Sequence, residues 1–481
     1  MTMSTTDTFV TYQVGSNEDD HRYLLDPSVM VAVKPCVWIS VSDHRVVCAL
    51  VHGYNVASMN PPVLFLASDV IPADMLLQMK QHDIANSSEK MRVTLSSATV
   101  REQSNISKAS APTSSTPFAD LGLVPHTREG YPPAVSSSPI HMFCHVLQLV
   151  DLEQSITSGA KGKGGTMILL QIDAITMRND ILTVPPPSPS SSRQILALVD
   201  AIKLAPLVSL GKGRYVVLDR LYSLMRPSET EIGTWISDDL QLKHASAPEN
   251  VDKESCARDD DKGDLPELIE WITSEPSPLG FDPIKAIVIP RPIGWISTYH
   301  NEIAHVAPYS FFMDVCHADD AENSYPIVAF AAYRPSVLKD VHLDIHDSKC
   351  FGVSTVTPEL AVAMNLSSAP IPREESEFEL AGLQVVPGQC IRAPLVEGSP
   401  LTMECEYVKT VDVGCFSILI GKVVAVRVSK AVLSVTGQVD STKLRSVTRL
   451  GYEDEYAIID KSIHGATLPA VESMAVGSRA V

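Results

Sequence analysis

Hydrophobic positions in this chain come as short runs, cut by clusters of Pro, Gly and Ser, rather than as long helical stripes. Between about residues 24 and 227 such runs fall at 29–41, 46–51, 62–67, 140–150 and 167–175, and helical spacing shows only at 75–81 and 195–202. A second apolar region extends from 281 to 460 and contains a strand-like run at 327–333. Many short β-branched runs with turn signals between them predict a mainly β protein, a barrel or sandwich rather than a βαβ sheet. Between 228 and 275 apolar content drops and acidic runs appear (Asp238-Asp239 and Asp259-Asp260-Asp261), which reads as a solvated linker with a short helix at 265–272. Residues 1–22 read as a disordered leader and 461–481 as a loose tail.

The two apolar regions repeat each other. Lys34-Pro35-Cys36-Val37-Trp38-Ile39-Ser40 lies over Arg291-Pro292-Ile293-Gly294-Trp295-Ile296-Ser297. Ser110-Ala111-Pro112 lies over Ser368-Ala369-Pro370, Ser138-Pro139-Ile140 over Ser399-Pro400-Leu401, and Asp200 with Lys203-Leu204 over Asp440 with Lys443-Leu444. Lys34 to Ser110 spans 76 positions and Arg291 to Ser368 spans 77. Anchors in one order at one spacing mark the halves as copies. The first copy carries two insertions, 155–165 and 185–192, both between predicted strands where loop growth costs little.

The densest chemistry lies in the second copy. The run from Ile293 to Thr298, a polar turn at 299–302 and a second run from Ile303 predict a β-hairpin. Ser297, Thr298 and Ser310 place hydroxyls at neighbouring strand ends, and Arg291 offers a fork that can hold a phosphate through two hydrogen bonds. After the strand at 327–333 come Arg334 and then Lys339, the latter where a helix should begin, so a cation and free N–H groups would meet an anion there. Trp295, Phe311 and Phe312 supply either a ring-binding wall or a core wall, which look alike in sequence.

Composition narrows the alternatives. A formal charge of −19 and a pI of about 5.1 disfavour nucleic acid as a partner. Nine cysteines without a C-x-x-C pair argue against a disulfide framework or a zinc site and point to a reducing, cytoplasmic setting. No apolar run reaches the roughly 18 residues of a membrane span. Gly159-Ala160-Lys161-Gly162-Lys163-Gly164-Gly165-Thr166 fails as a phosphate loop because Gly165 stands where the lysine belongs, and reads as a hairpin tip. No G-x-S-x-G or H-E-x-x-H motif is present, and His342 with His346 lacks a third metal ligand in the pattern.

These residues resemble the flavin reductase-like domain family, the FMN-binding split barrels. The resemblance rests on 291–298 (Arg-Pro-Ile-Gly-Trp-Ile-Ser-Thr), 307–312 (Ala-Pro-Tyr-Ser-Phe-Phe), Lys339-Asp340, 365–370 (Asn-Leu-Ser-Ser-Ala-Pro) and Arg449-Leu450-Gly451. It implies a six-stranded Greek-key barrel over 276–460, a non-covalently held FMN, and a dimer with flavin near the interface. Carried over, Trp295, Ile296, Ser297, Thr298, Tyr309, Ser310 and Phe311 would line the flavin, while Ser297, Thr298, Ser310, Arg334 and Lys339 would meet its phosphate or ribityl chain. Two positions depart from the family pattern: Val341 replaces a Thr and Tyr309 an Asn.

The first copy, 23–227, reads as a degenerate version of the same barrel. Opposite Gly294, Thr298, Ser310, Lys339 and Arg449 the alignment places Val37, Val41, Tyr54, Ala73 and Ser209, so the anion-contacting side chains are gone. The expectation is two tandem split barrels pairing within one chain, with a homodimer as a further option, and one FMN site on the second. The function implied is an FMN-dependent oxidoreductase drawing on NADH or NADPH, with no catalytic base indicated. The alternative is a non-catalytic flavin-binding or scaffolding protein.

Overall fold

The computed structural model describes residues 9–13, 31, 33–41, 47–68, 71–84, 90–102, 105, 115–152, 165–183, 197–210, 214–218, 221–223, 243–244, 268–316, 326–334, 340–452, 455–459 and 465–467. Lys339, the glycine-lysine run up to 164, the Pro/Ser tract at 185–192 and both acidic runs lie outside them.

The first copy comprises strands β1 (Lys34–Val41), β2 (Val47–His52), β3 (Tyr54–Met59) and β4 (Pro62–Ala67), helix α1 (Ala73–Ile84), then β5 (Arg92–Ser97), β6 (Ile140–Asp151) and β7 (Thr166–Arg178). The second comprises β8 (Gly294–His300), β9 (Ile303–Tyr309), β10 (Phe312–Cys316) and β11 (Ile327–Tyr333), helix α2 (Asp340–Ser348), then β12 (Cys350–Ser354), β13 (Leu401–Val413) and β14 (Phe416–Ser429). Antiparallel pairing runs β2-β1-β5-β6-β7-β4-β3 in one and β9-β8-β12-β13-β14-β11-β10 in the other, the same order element for element. Both long hairpins carry bulges at matching distances from their starts, at Phe143/Cys144 and Val146/Gln148 in β6 and at Glu404/Cys405 and Tyr407/Lys409 in β13. Bulges bend a strand and raise its twist, which lets each sheet curl into a half-barrel. The closing short helices match too: Asp200 caps 201–204 by accepting from the N–H groups of Ile202 and Lys203, and Asp440 caps 441–444 through Thr442.

The hairpin turn is tighter than its sequence implies. Strands β8 and β9 extend to His300 and Ile303, leaving Asn301 and Glu302 at φ 45° and 70° as a two-residue turn that matches strand twist. Helix α2 starts directly after position 339, and α1 outgrows the stripe at 75–81.

Four segments differ from their sequence reading. Phe9–Gln13, within the leader, is a strand paired antiparallel with β14. Gly465–Thr467, within the tail, pairs with Arg214–Val217. Leu268–Ile272 is not helical but a strand on the edge of β7, with Trp271 buried and its neighbours on either side exposed, a two-residue period that charged surroundings disguised. Within 195–202, Leu198–Val199 is extended and the helix begins only at Ala201.

The barrels pack against each other within the chain. One apolar cluster includes Val37, Phe65 and Leu169 from the first and Phe311, Met313 and Ile420 from the second. At its edge the Lys34 ammonium forms an ion pair with Asp314 across the two barrels, each side chain only 2% exposed. No helix among the described residues is long and apolar enough to cross a membrane.

Candidate functional site

Strand β8 is buried over its first five residues, so its side chains are committed inward on both faces. Trp295 is fully buried and its indole N–H donates to Ser367 Oγ at 2.9 Å. Ile296 joins the apolar core beside Phe330 and Phe351. The Ser297 hydroxyl donates to the Pro394 carbonyl, and Thr298 Oγ1 donates to Asp344 Oδ2 at 3.2 Å. These four residues, expected along the ligand, hold the hairpin to its neighbours instead. Arg334 turns outward, 3.3 Å from Asp412 and 3.4 Å from the Gly414 carbonyl.

A cleft of about 510 Å³ opens on the other side of the hairpin and brings together Arg291, Tyr309, Ser310 and Phe311. Its walls are aromatic: Tyr309, Phe311, Tyr333, Phe416, Tyr452 and Tyr456 all line it. Phe311 lies 5.7 Å from Phe416 between ring centroids, and Tyr333 lies 5.5 Å from Phe416. Lys285, Arg291 and Arg449 contribute three cations, whereas no Asp, Glu, His or Cys is among the described lining residues. Asn365 and Ser368 add polar groups at one end.

Arg291 does not present an open fork. It is 1% exposed, and its Nη1 donates to the carbonyls of Lys285 and Val288 (3.0 Å to the latter) while Nη2 donates to that of Leu450 at 2.5 Å. The side chain thus ties the turn at 285–288 to the strand end at 450. Its Nε–H is buried with no partner among the described residues. Antiparallel pairing sets Arg291 directly opposite Arg449, whose guanidinium lies 4.6 Å from the Tyr456 ring centroid and donates to that phenol. Burial, and then the neighbouring Arg449 charge, push the Arg291 guanidinium down from its ordinary range. The two guanidiniums thus face each other beneath the aromatic walls, with no carboxylate among the described lining residues. Burial also raises the phenols of Tyr309 and Tyr452, which therefore stay protonated.

Arg449, Asn365 and Ser368 were present in the recognised motifs, and their place in the cleft follows from the fold. Lys285, Tyr452 and Tyr456 carried no sequence signal, because only closure of the chain end onto the hairpin brings them in. The register also corrects one alignment: Trp38 faces Leu50 as Trp295 faces Pro308, which puts His52 opposite Ser310, and Tyr54 opposite Phe312.

The profile of the flavin reductase like domain matches residues 287–442. An uncharacterised protein of Deinococcus radiodurans is 33% identical over 194 residues, covering 38% of this chain and 83% of that one. The chain belongs to the flavin reductase-like family. A second such relative, an uncharacterised protein of Aquifex aeolicus, is 30% identical over 169 residues, covering 35% of this chain and 84% of that protein. Among solved structures, nitrilotriacetate monooxygenase component B from Bacillus cereus is 26% identical with a TM-score of 0.34, covering 37% of this chain and 88% of that one. Flavoredoxin of Desulfovibrio vulgaris is 19% identical with a TM-score of 0.32, covering 36% of this chain and 88% of that one. The family segment spans the hairpin and β8 to β14, while Lys285 precedes it and Arg449, Tyr452 and Tyr456 follow it.

Proposed function

We propose that the cleft binds one FMN non-covalently and that the chain is a flavin reductase-like oxidoreductase using NADH or NADPH. The observation that carries this reading is the pair Arg291–Arg449, set face to face across two strands beneath aromatic walls, with no carboxylate among the described lining residues. A phosphate fits the cationic end through charge-assisted hydrogen bonds, and a flat ring fits against Tyr309, Phe311 and Phe416. Bound FMN would supply hydride acceptance and onward electron transfer, to a flavin, oxygen or another acceptor. The residues of this chain bind and orient: the Arg449 guanidinium fixes one end with the buried Arg291 charge behind it, the rings exclude water along the face, and the protonated phenols of Tyr309 and Tyr452 offer hydrogen-bond donors.

The test compares FMN with riboflavin, which lacks the phosphate, by fluorescence titration of the purified chain and of Arg449→Gln. One charge-assisted contact is worth about 1.5–3 kcal/mol, so Arg449→Gln should cost FMN about tenfold to a hundredfold in affinity and riboflavin little. Bleaching of the bound flavin by NADH or NADPH identifies the reductant. Equal affinity of the wild-type chain for both ligands refutes the phosphate assignment, and a chain that takes up no FMN refutes the site.

A further inference from the structure

Every described residue lining the cleft falls between Lys285 and Tyr456, yet three of its walls are held from the N-terminal barrel. The Val199 N–H donates to the Tyr452 phenol oxygen at 2.6 Å. Cys415 Sγ donates to the Asn60 carbonyl at 3.7 Å beside Phe416, and a Cβ on Gly414 would come within 2.5 Å of that same carbonyl. The third contact is made by a side chain. Asn55, on β3, is fully buried, and its Nδ2 donates to the carbonyls of Ser310 at 3.1 Å and Phe312 at 2.9 Å. Its Oδ1 accepts from the Val56 N–H at 2.8 Å, which fixes the amide plane with both donors aimed across the interface.

Those two carbonyls bracket Phe311 and end the segment that carries Tyr309 and Ser310. A carboxamide is the small side chain that offers two donors from one planar group. Aspartate of the same shape would turn an acceptor toward the two carbonyls, and alanine would leave both without these donors in a buried place. We infer that Asn55 is a positioning residue for the cleft: the N-terminal barrel, which contributes no lining side chain among the described residues, sets the 309–312 turn through this carboxamide. The consequence for flavin rests on the reading proposed above.

The experiment uses the full chain and the variants Asn55→Ala, Asn55→Asp and the milder Asn55→Ser, each checked for folding by circular dichroism. The first readout, hydrogen exchange of peptides covering 309–313 without any flavin, is independent of function. Loss of two hydrogen bonds, one buried and one part-buried, should speed exchange there by about tenfold or more, with Asn55→Asp at least as severe as Asn55→Ala, while peptides of β6 and β7 stay unchanged. The second readout is FMN affinity and the shape of the bound flavin's visible band, expected to weaken by about tenfold and to alter. Unchanged exchange at 309–313 in a folded variant overturns the inference whatever flavin does. Faster exchange with FMN affinity within twofold of wild type overturns the role in the site. If the wild-type chain takes up no FMN, the flavin reading fails, and the exchange data alone still decide whether Asn55 sets the turn.

Discussion

Replacing Lys34 by Met removes one charge from an ion pair whose two side chains are each 2% exposed. The remaining Asp314 carboxylate stays buried at the junction of the barrels without the Lys34 charge. Its surroundings are close: a Cβ on Gly53 would lie 3.5 Å from Lys34 Cδ and 4.0 Å from Asp314 Oδ1, and Gly53 holds φ +76°. Breaking a buried pair from one side costs about 3–5 kcal/mol, whereas replacing both members by apolar residues is about neutral or stabilising by 1–4 kcal/mol. By contrast the exposed pair Arg392–Glu302, at 69% and 79% exposure, belongs to a class worth within about 1 kcal/mol. The assay is urea unfolding followed by tryptophan fluorescence for wild type, Lys34→Met, Asp314→Leu and the double variant. Each single variant should lose several kcal/mol through a lower midpoint at an unchanged slope, and the double should recover most of the loss. A Lys34→Met chain within about 1 kcal/mol of wild type would refute the argument, because the pair would then be solvated and the barrels would not dock through it.

Arg291→Met takes hydrogen bonds from three carbonyls at once, at about 1–3 kcal/mol each, so thermal melting should fall sharply together with FMN uptake, whereas Arg449→Gln should lower uptake with little change in melting. Gly294→Ala would set a Cβ 2.6 Å from the Phe312 ring, and overpacking of this kind costs about 1–3 kcal/mol; near-ultraviolet dichroism and the urea midpoint should both shift. Burial opposes the charge on His305, but the Glu377 carboxylate 2.8 Å away outweighs it and raises the imidazole above its ordinary value. A raised folded value means stability that is fully present below about pH 6.5 and is lost as pH rises through it. Glu377→Gln should therefore narrow the difference in melting temperature between pH 5.5 and pH 8.5, and an unchanged difference would count against the pair.

The strands were legible because each half-buried run fixes its own period: the hairpin at 293–309 and the run at 327–333 came through almost residue for residue. What could not be read was where each polar side chain in them points. Ser297 and Thr298 are neighbours on opposite faces of β8, and both faces are covered, one by Pro394 and the other by Asp344, 97 and 46 residues away. A hydroxyl at a strand end looks the same in sequence whether it meets a ligand or a distant carbonyl. The strands at 9–13 and 465–467 were hidden for a related reason, since their local sequence is weak and the partner strand supplies the hydrogen bonds.

The comparison of the two copies singles out the hairpin that borders the cleft, and its buried cations differ from what their side chains first suggest. Lys34 and Arg291 occupy one position in two copies of one strand order, and both are buried cations. In the second copy the cation secures three main-chain carbonyls, keeps one N–H unsatisfied and faces a second guanidinium across the strand pair. In the first copy the cation is neutralised by Asp314, and Ser209 stands across from it where the second copy has Arg449. The cation of the first copy serves the interface, and that interface in turn holds the turn at 309–312 through Asn55. The Lys34–Asp314 pair and the Asn55 carboxamide act at the same contact surface, which argues that the N-terminal barrel is retained for the geometry it imposes on its neighbour.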